Sequence, residues 1–318
     1  MIPTYRSIEE IPATLGPTVA SIGNFDGVHV GHRLILSVAV EEARALGIRA
    51  IAITFDPHPE QFLRPAQAPL LLTPVTERLR LLATTGIDAV VILPFNEALA
   101  RLTAREFVQQ ILVDKLQIHS LHEGGNFRFG LHAAAGVNEL REFGAEFGFS
   151  VHIHSPVSVR AGEVSSSAIR ALLTAGNLSR ARQMLGRSFA VRSTPARGRG
   201  IGTRLLVPTV NLAPYDGLLP AFGVYVTHLM VGERRFQAVT NIGNRPTFGQ
   251  DSFAVESHIL DFEPVDLNEN TPLELEFLLR LRPEIVWPNP EALKAQIYKD
   301  VAKAKKFFQR ISPQPLSS

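Results

Sequence analysis

Two hydrophobic periods divide this chain, and no single sheet satisfies both. Thr18–Ile22, Ile48–Phe55 and Ala89–Leu93 are apolar almost without a break, and helix-like segments separate them. Short runs of that kind suit strands buried on both faces, as in a parallel sheet covered by helices above and below. The pattern near the other end is different. Leu273, Leu275, Phe277, Leu279 and Leu281 alternate with Glu274, Glu276, Leu278, Arg280 and Arg282. A two-residue period describes a half-buried antiparallel strand.

The helical segments fit this division. Arg33–Leu46 reads as a helix closed by Gly47, Glu77–Thr85 as a second, and Thr103 as the cap of a third running through Leu116. Glu106 stands at the capping-box position for Thr103. Ala221–Val231 and Arg235–Ile242 flank a turn at Gly232 and suggest a hairpin, and Pro290–Phe308 has helical spacing. The expected fold is an α/β doubly wound parallel sheet, Rossmann-like, followed by a small antiparallel β-barrel with a C-terminal helix. The boundary falls near Gly186–Arg192, giving domains 1–186 and 187–310 and a loose tail at 311–318. The chain's 318 residues accommodate two domains of ordinary size.

Composition removes several function classes. Cys is absent, which excludes disulfides, thiolate metal sites and a Cys nucleophile and fits a reducing cytoplasm. Lys and Arg total 32 against 30 Asp and Glu, too balanced to attract a nucleic acid. No apolar run is long enough for a bilayer, and MIPTYRSIEE has no signal-peptide core. No nucleic-acid or membrane partner is expected, and the chain reads as a monomer or weak homo-oligomer.

The stretch SIGNFDGVHVGH, Ser21–His32, follows the first apolar run. If it is a strand, a glycine turn and a helix start near His32, then His29 and His32 project to one side. Gly31 between them leaves room for a ligand, and the helix N-terminus offers free N–H groups to anions. Imidazoles donate hydrogen bonds to phosphate without a permanent charge. A glycine turn with exposed histidines is the competing reading, and Gly23, Asn24, Phe25, Asp26 and Gly27 in front favour the phosphate site. GEVSSSAIR, Gly162–Arg170, puts Ser165, Ser166 and Ser167 before another helix. One of them is an ordinary N-cap; together with Arg170 they can cradle the other end of a triphosphate.

In the second half, GRGIGTRLLVPTVNL contains Gly200 and Gly202 and leads to Thr209 and Asn211, which face one side of a strand. A hydroxyl and an amide carbonyl are hard oxygen donors of the sort Mg²⁺ accepts beside phosphates. A Pro-led edge strand is the plainer reading. In FAVESHILDF, Glu256 shares a face with His258, and an acidic residue there is more often a solvated one than a base. Asp56-Pro57-His58-Pro59 is a stiff turn, and Phe127 and Phe129 read as packing residues.

GNFDGVHVGH, TFDPHPEQFL, GGNFRFG and VSSSAIR, in that order, resemble the adenylyltransferase half of prokaryotic bifunctional riboflavin kinase/FAD synthetases. PTVN, NIGNRPTF and VESHILDF resemble the riboflavin kinase half. The resemblance implies a nucleotidyltransferase domain that joins ATP to FMN with release of pyrophosphate, and a six-stranded kinase barrel that makes FMN from riboflavin. It implies that Gly23, Asn24, Phe25, Asp26, His29, Gly31, His32, Asn126, Ser165, Ser166, Ser167 and Arg170 bind ATP in the first. In the second it implies that Gly200, Gly202, Thr209 and Asn211 bind Mg-ATP and that Glu256 is the general base, so His29, His32 and Glu256 are the catalytic candidates. ATP is a substrate, Mg²⁺ the cofactor, and FMN and FAD the products. Ser167 replaces the family's usual Thr, Leu206 replaces a usual Gly, and Leu267-Asn268-Glu269 replaces a usual Leu-Tyr-Gly. The departures at Leu206 and Asn268 support one alternative, a flavin-binding regulator without catalysis; a second, resting on the H-x-G-H device of the first half alone, is a transferase for another phosphorylated substrate.

Overall fold

The computed structural model describes residues 2–160, 162–196, 209–244, 253–261 and 267–311. The chain forms two units, Met1–Ser166 and Ser167–Ser318.

The first unit is built on β1 (Thr4–Tyr5), β2 (Thr18–Ile22), α1 (Val30–Leu46), β3 (Arg49–Asp56), α2 (Pro59–Leu63), α3 (Val75–Ala83) and β4 (Ala89–Pro94). It continues through α4 (Glu97–Arg101), α5 (Ala104–Phe107), β5 (Ile118–Gly124), α6 (Val137–Phe147) and β6 (Ser150–His154). The sheet is parallel, in the order β1-β4-β3-β2-β5-β6. The uninterrupted apolar runs conceal a strand period. Val19, Ala50, Ala52, Val90 and Ile92 pack on Leu36, Ala39, Leu81 and Leu82 from α1 and α3. Ala20, Ile22, Ile51, Ile53, Val91 and Leu93 pack on the other face against Phe107, Ile111, Leu112 and Leu140. Each strand feeds two cores, so no position along it can be polar without cost. From β2 the chain winds outward through β3 and β4, then returns to place β5 on the other flank of β2. Ligands bind in the crevice at such a reversal, beyond the carboxyl ends of the strands.

Thr103 caps α5 as expected, with Glu106 completing the capping box. The helix does not run on to Leu116 as α-helix: after Phe107 it loosens into a π-helical stretch over Val108–Val113. α1 also starts earlier than its apolar spacing suggests, at Val30, with His29 as its cap. A short β7 (Ser158–Val159) and β8 (Gly162–Glu163) precede α7 (Ser166–Thr174).

The second unit contains α8 (Leu178–Leu185), β9 (Phe189–Ser193), β10 (Thr209–Asn211), β11 (Gly223–Val231), β12 (Arg234–Asn244), β13 (Phe253–Ile259), β14 (Leu273–Pro283) and α9 (Pro290–Ile311). Its six strands are antiparallel, in the order β10-β13-β12-β11-β14-β9. The two edges then meet. Ala196 N–H donates to the Asn211 carbonyl at 2.8 Å, and Ala213 N–H to the Thr194 carbonyl at 2.8 Å. Closing a sheet on itself removes its exposed edges. Tyr225, Phe277 and Phe189 form a ring cluster, with Phe277 contacting both others. Elsewhere Val224, Val226 and Val239 pack against Ala304 and Phe308 of α9.

The alternation expected from Leu273 to Leu281 holds only through Phe277. Register shifts between β11 and β14 at Val224/Tyr225 and Val226/Thr227 insert extra residues into β14. A bulge reverses the phase of the side chains beyond it, so Leu279 is 41% exposed while Leu278 and Leu281 turn toward α9. Gly200, Gly202, Leu206 and the tail 312–318 lie outside the described residues.

Candidate functional site

In the first unit the loop after β2 is held from several sides. Gly23 N–H donates to the Ile53 carbonyl at 2.9 Å. Asp26, buried, accepts from Leu72 N–H and Thr73 N–H at 3.0 and 2.8 Å and from the Thr73 hydroxyl at 3.2 Å. The Ser166 hydroxyl donates to the Asp26 carbonyl at 2.8 Å, linking the serine motif to the glycine loop. Arg78 donates through Nη1 to the Asn24 carbonyl, Thr54 Oγ1 and the Phe55 carbonyl at 2.9, 2.9 and 3.0 Å. These restraints hold a strained backbone: Phe25 and the β-branched Val28 have φ of 46° and 38°. Non-glycine residues occupy that region only where their surroundings compel it, often at functional loops.

The loop delivers His29 and His32 to the first turn of α1. His29 Nδ1 accepts from His32 N–H at 3.3 Å, so the His29 proton sits on Nε2. The two rings stack with centroids 3.6 Å apart, and the Phe25 ring meets His32 edge-on at 5.2 Å. Phe25 itself belongs to the core and supports His32 from behind. A Cβ on Gly31 would sit 3.3 Å from the His29 ring, so glycine there leaves the imidazole its place. Among the described residues, His32 Nδ1 is buried without a hydrogen-bond partner. Burial, helped by His29, holds the His32 pKa well below its ordinary value, so the ring is neutral at neutral pH. A buried polar atom without a partner is rare in folded proteins.

Asn126, exposed, lies in the turn beyond β5, where Phe127 N–H donates to the Gly124 carbonyl at 3.0 Å. Phe127 and Phe129 stack on each other and pack on the core, as expected. Ser165 precedes α7, Ser166 opens it, and Ser167 and Arg170 follow in its first turns. The Asp56-Pro57-His58-Pro59 turn has a cis Asp56–Pro57 bond, and His58 caps α2.

Two residues at this end of the sheet escaped the sequence reading. Arg78 is buried on α3 on the same face as Leu81 and Leu82, and its Nε and Nη2 have no partner among the described residues. Burial lowers its pKa against the opposing pull of Asp26 and Asp56. A charged residue at i with leucines at i+3 and i+4 was the available signal. Glu123, buried at the end of β5, accepts from Ile22 N–H at 2.6 Å, joining β5 to β2 at the reversal point. Burial pushes its pKa well above the carboxylate range, against the Ile22 hydrogen bond.

These two groups bend stability against pH in opposite senses. His32 resists protonation in the fold, so the unfolded chain binds more protons below about pH 6.5 and stability falls as pH drops. Glu123 retains its proton in the fold, so stability falls as pH rises above about 4.3. Glu123→Gln is therefore expected to lose less thermal stability than the parent between about pH 5 and 8. Parallel melting-temperature curves for the two proteins would contradict this.

In the second unit, β10 and β13 pair Thr209 with His258 and Asn211 with Glu256, and β12 pairs Asn241 with Glu256. Residues directly opposite share a face, so Thr209, Asn211, Asn241, Glu256 and His258 form one half-buried polar patch. The intervening residues turn the other way, where Thr227, Thr240 and Ser257 make a buried hydroxyl ladder with steps of 2.7 and 2.8 Å. Asn268, at one of the departures from the family pattern, closes a polar turn: its N–H donates to Thr271 Oγ1 and its Oδ1 accepts from Asn270 N–H.

The sequence model of the FAD synthetase family matches residues 11–168, and that of the riboflavin kinase family matches residues 185–308. The bifunctional riboflavin kinase/FMN adenylyltransferase of Pseudomonas fluorescens is 36% identical over 90% of this chain and 92% of its own length. This chain belongs to the bifunctional riboflavin kinase/FMN adenylyltransferase family. The family member of Escherichia coli K12 is 33% identical over 93% of this chain and 94% of its own. Among solved structures, one described as a macrolide-efflux protein from Streptococcus pneumoniae has a TM-score of 0.83 at 25% identity, covering 95% of this chain and 98% of its own. No helix among the described residues is long and apolar enough to cross a membrane.

Proposed function

We propose that this chain performs two consecutive ATP-dependent reactions: phosphorylation of riboflavin to FMN within residues 187–310, and adenylylation of FMN to FAD within residues 1–186. The observation that carries this reading is the tandem match to both families in one chain, over 11–168 and 185–308.

In the first reaction the terminal ribityl hydroxyl attacks the γ-phosphorus of ATP. The new O–P bond forms as the bond to ADP breaks, and Glu256 receives the hydroxyl proton as general base. Thr209 and Asn211 present a hydroxyl and a carboxamide on the face they share with Glu256, hard oxygen donors that suit Mg²⁺. Bound there, the ion would neutralise phosphate charge. Gly200 and Gly202 are the further candidates for nucleotide contact.

In the second reaction a phosphate oxygen of FMN attacks the α-phosphorus of ATP, and the bond to the departing pyrophosphate breaks. The attacking oxygen carries no proton at neutral pH, so no base is required. Positioning and charge stabilisation supply the catalysis. His29 and His32 hydrogen-bond the phosphates at the N-terminus of α1, and a neutral His32 does so without holding product as a fixed cation would. Gly23, Asn24, Phe25, Asp26 and Gly31 shape that loop, while Asn126, Ser165, Ser166, Ser167 and Arg170 contact the nucleotide. Arg78 is a positioning residue for the Asn24 carbonyl. The chain acts in the cytoplasm as a monomer or weak homo-oligomer, without nucleic acid or membrane.

Incubating the purified protein with riboflavin, ATP and Mg²⁺ and separating the flavins tests this. FMN and FAD should both accumulate. Flavin binding without turnover would contradict the proposal.

A further inference from the structure

A second set of imidazoles lies on the same sheet of the first unit. β5 and β6 place His122 and His152 directly side by side in register, and α1 brings Glu42 against them. Glu42 Oε2 lies 2.8 Å from His122 Nε2 and 3.5 Å from His152 Nε2, and the three ligand atoms all fall within 4.8 Å of one another. Their supports are built in. Ser120, on the same face of β5 as His122, donates its hydroxyl to Glu42 Oε1 and leaves Oε2 to face the two rings. His122 Nδ1 lies 3.0 Å from His154 Nε2, so its other nitrogen is oriented by a hydrogen bond. His122 is buried, while the His152 side chain is 47% exposed.

We propose that Glu42, His122 and His152 form a binding site for a divalent first-row transition metal of the Zn²⁺ class, with Ser120 and His154 orienting the ligands. Two imidazole nitrogens and one carboxylate oxygen are the donors such ions take, whereas Mg²⁺ and Ca²⁺ prefer oxygen alone. Three protein ligands leave one position open, and the exposure of His152 gives that position access to solvent. Ligating imidazoles typically donate their second N–H to a neighbour, the arrangement His154 provides.

The site is separate from the adenylyl-transfer loop. Glu42 stands about 20 Å along α1 from His29 at 1.5 Å per residue. A bound ion would tie α1, whose first turn carries His29 and His32, to β5 and β6. Because the unfolded chain cannot assemble these ligands, binding stabilises the fold by mass action.

Tag-free full-length protein titrated with Co²⁺ tests the proposal through visible absorption, followed by displacement with Zn²⁺ and by thermal melting in Zn²⁺. One Co²⁺ per chain should bind with d–d bands of a low-coordinate site, Zn²⁺ should displace it, and the melting temperature should rise with Zn²⁺. His152→Ala and Glu42→Gln should lose all three responses, and Ser120→Ala should weaken binding about 10–100-fold. His152 is half exposed, so its replacement is expected to leave the metal-free melting temperature unchanged. Equal Co²⁺ binding by the parent and His152→Ala, or a parent melting temperature that Zn²⁺ does not move, would overturn it.

Discussion

Replacing His32 by alanine is expected to slow FAD formation from supplied FMN by about 10²–10³-fold, the loss typical when one preorganised donor to developing charge is removed. His32 suits that role because the fold holds it neutral. Its ring is fixed by stacking on His29 and by the edge of Phe25, so little reorganisation is needed when charge develops. FMN formation should be unaffected. Separate kinetics of the two reactions check this, with circular dichroism to establish that the variant is folded. Loss of both activities in a folded variant would contradict separate sites.

Glu256→Gln is expected to show the reverse pattern. Glutamine keeps the size and hydrogen-bonding reach of the side chain but cannot accept the ribityl proton, so riboflavin phosphorylation should fall by about 10²–10⁴-fold. FAD formation from supplied FMN should continue at the parent rate. The pairing of Asn211 and Asn241 with Glu256 on adjacent strands means the substitution changes charge at the centre of a polar patch without opening a cavity. Undiminished phosphorylation in this variant would remove Glu256 from the role of base.

The parallel sheet was legible in the sequence because its strands are buried on both faces, which forces continuous apolar runs such as Ala89–Leu93. Thr103 was legible because a capping box is a local signal that local hydrogen bonds fulfil. The start of α1 was not, since His29 caps it and histidine is not among the usual capping residues. The bulges in β14 were hidden for a different reason: they change the phase of the side chains without changing their composition. Arg78 and Glu123 carry no distinctive sequence signal of function because tertiary contacts with Asn24 and Ile22 give them their place. Closure of the barrel depends on hydrogen bonds of Thr194 and Ala196 with Ala213 and Asn211, and no local pattern announces such pairing. The cluster of Glu42, His122 and His152 is likewise assembled from three distant segments. At the candidate sites the motifs stand out in the sequence, whereas the hydrogen bonds that hold their loops in place do not.

Mixing the two variants tests the division of labour most directly. Neither His32→Ala nor Glu256→Gln alone should convert riboflavin to FAD at an appreciable rate. Combined in one tube with riboflavin and ATP, His32→Ala supplies FMN and Glu256→Gln adenylylates it. FAD is expected to appear after a lag in which FMN accumulates. A mixture that forms no more FAD than the two variants assayed apart would contradict two independent sites in one chain.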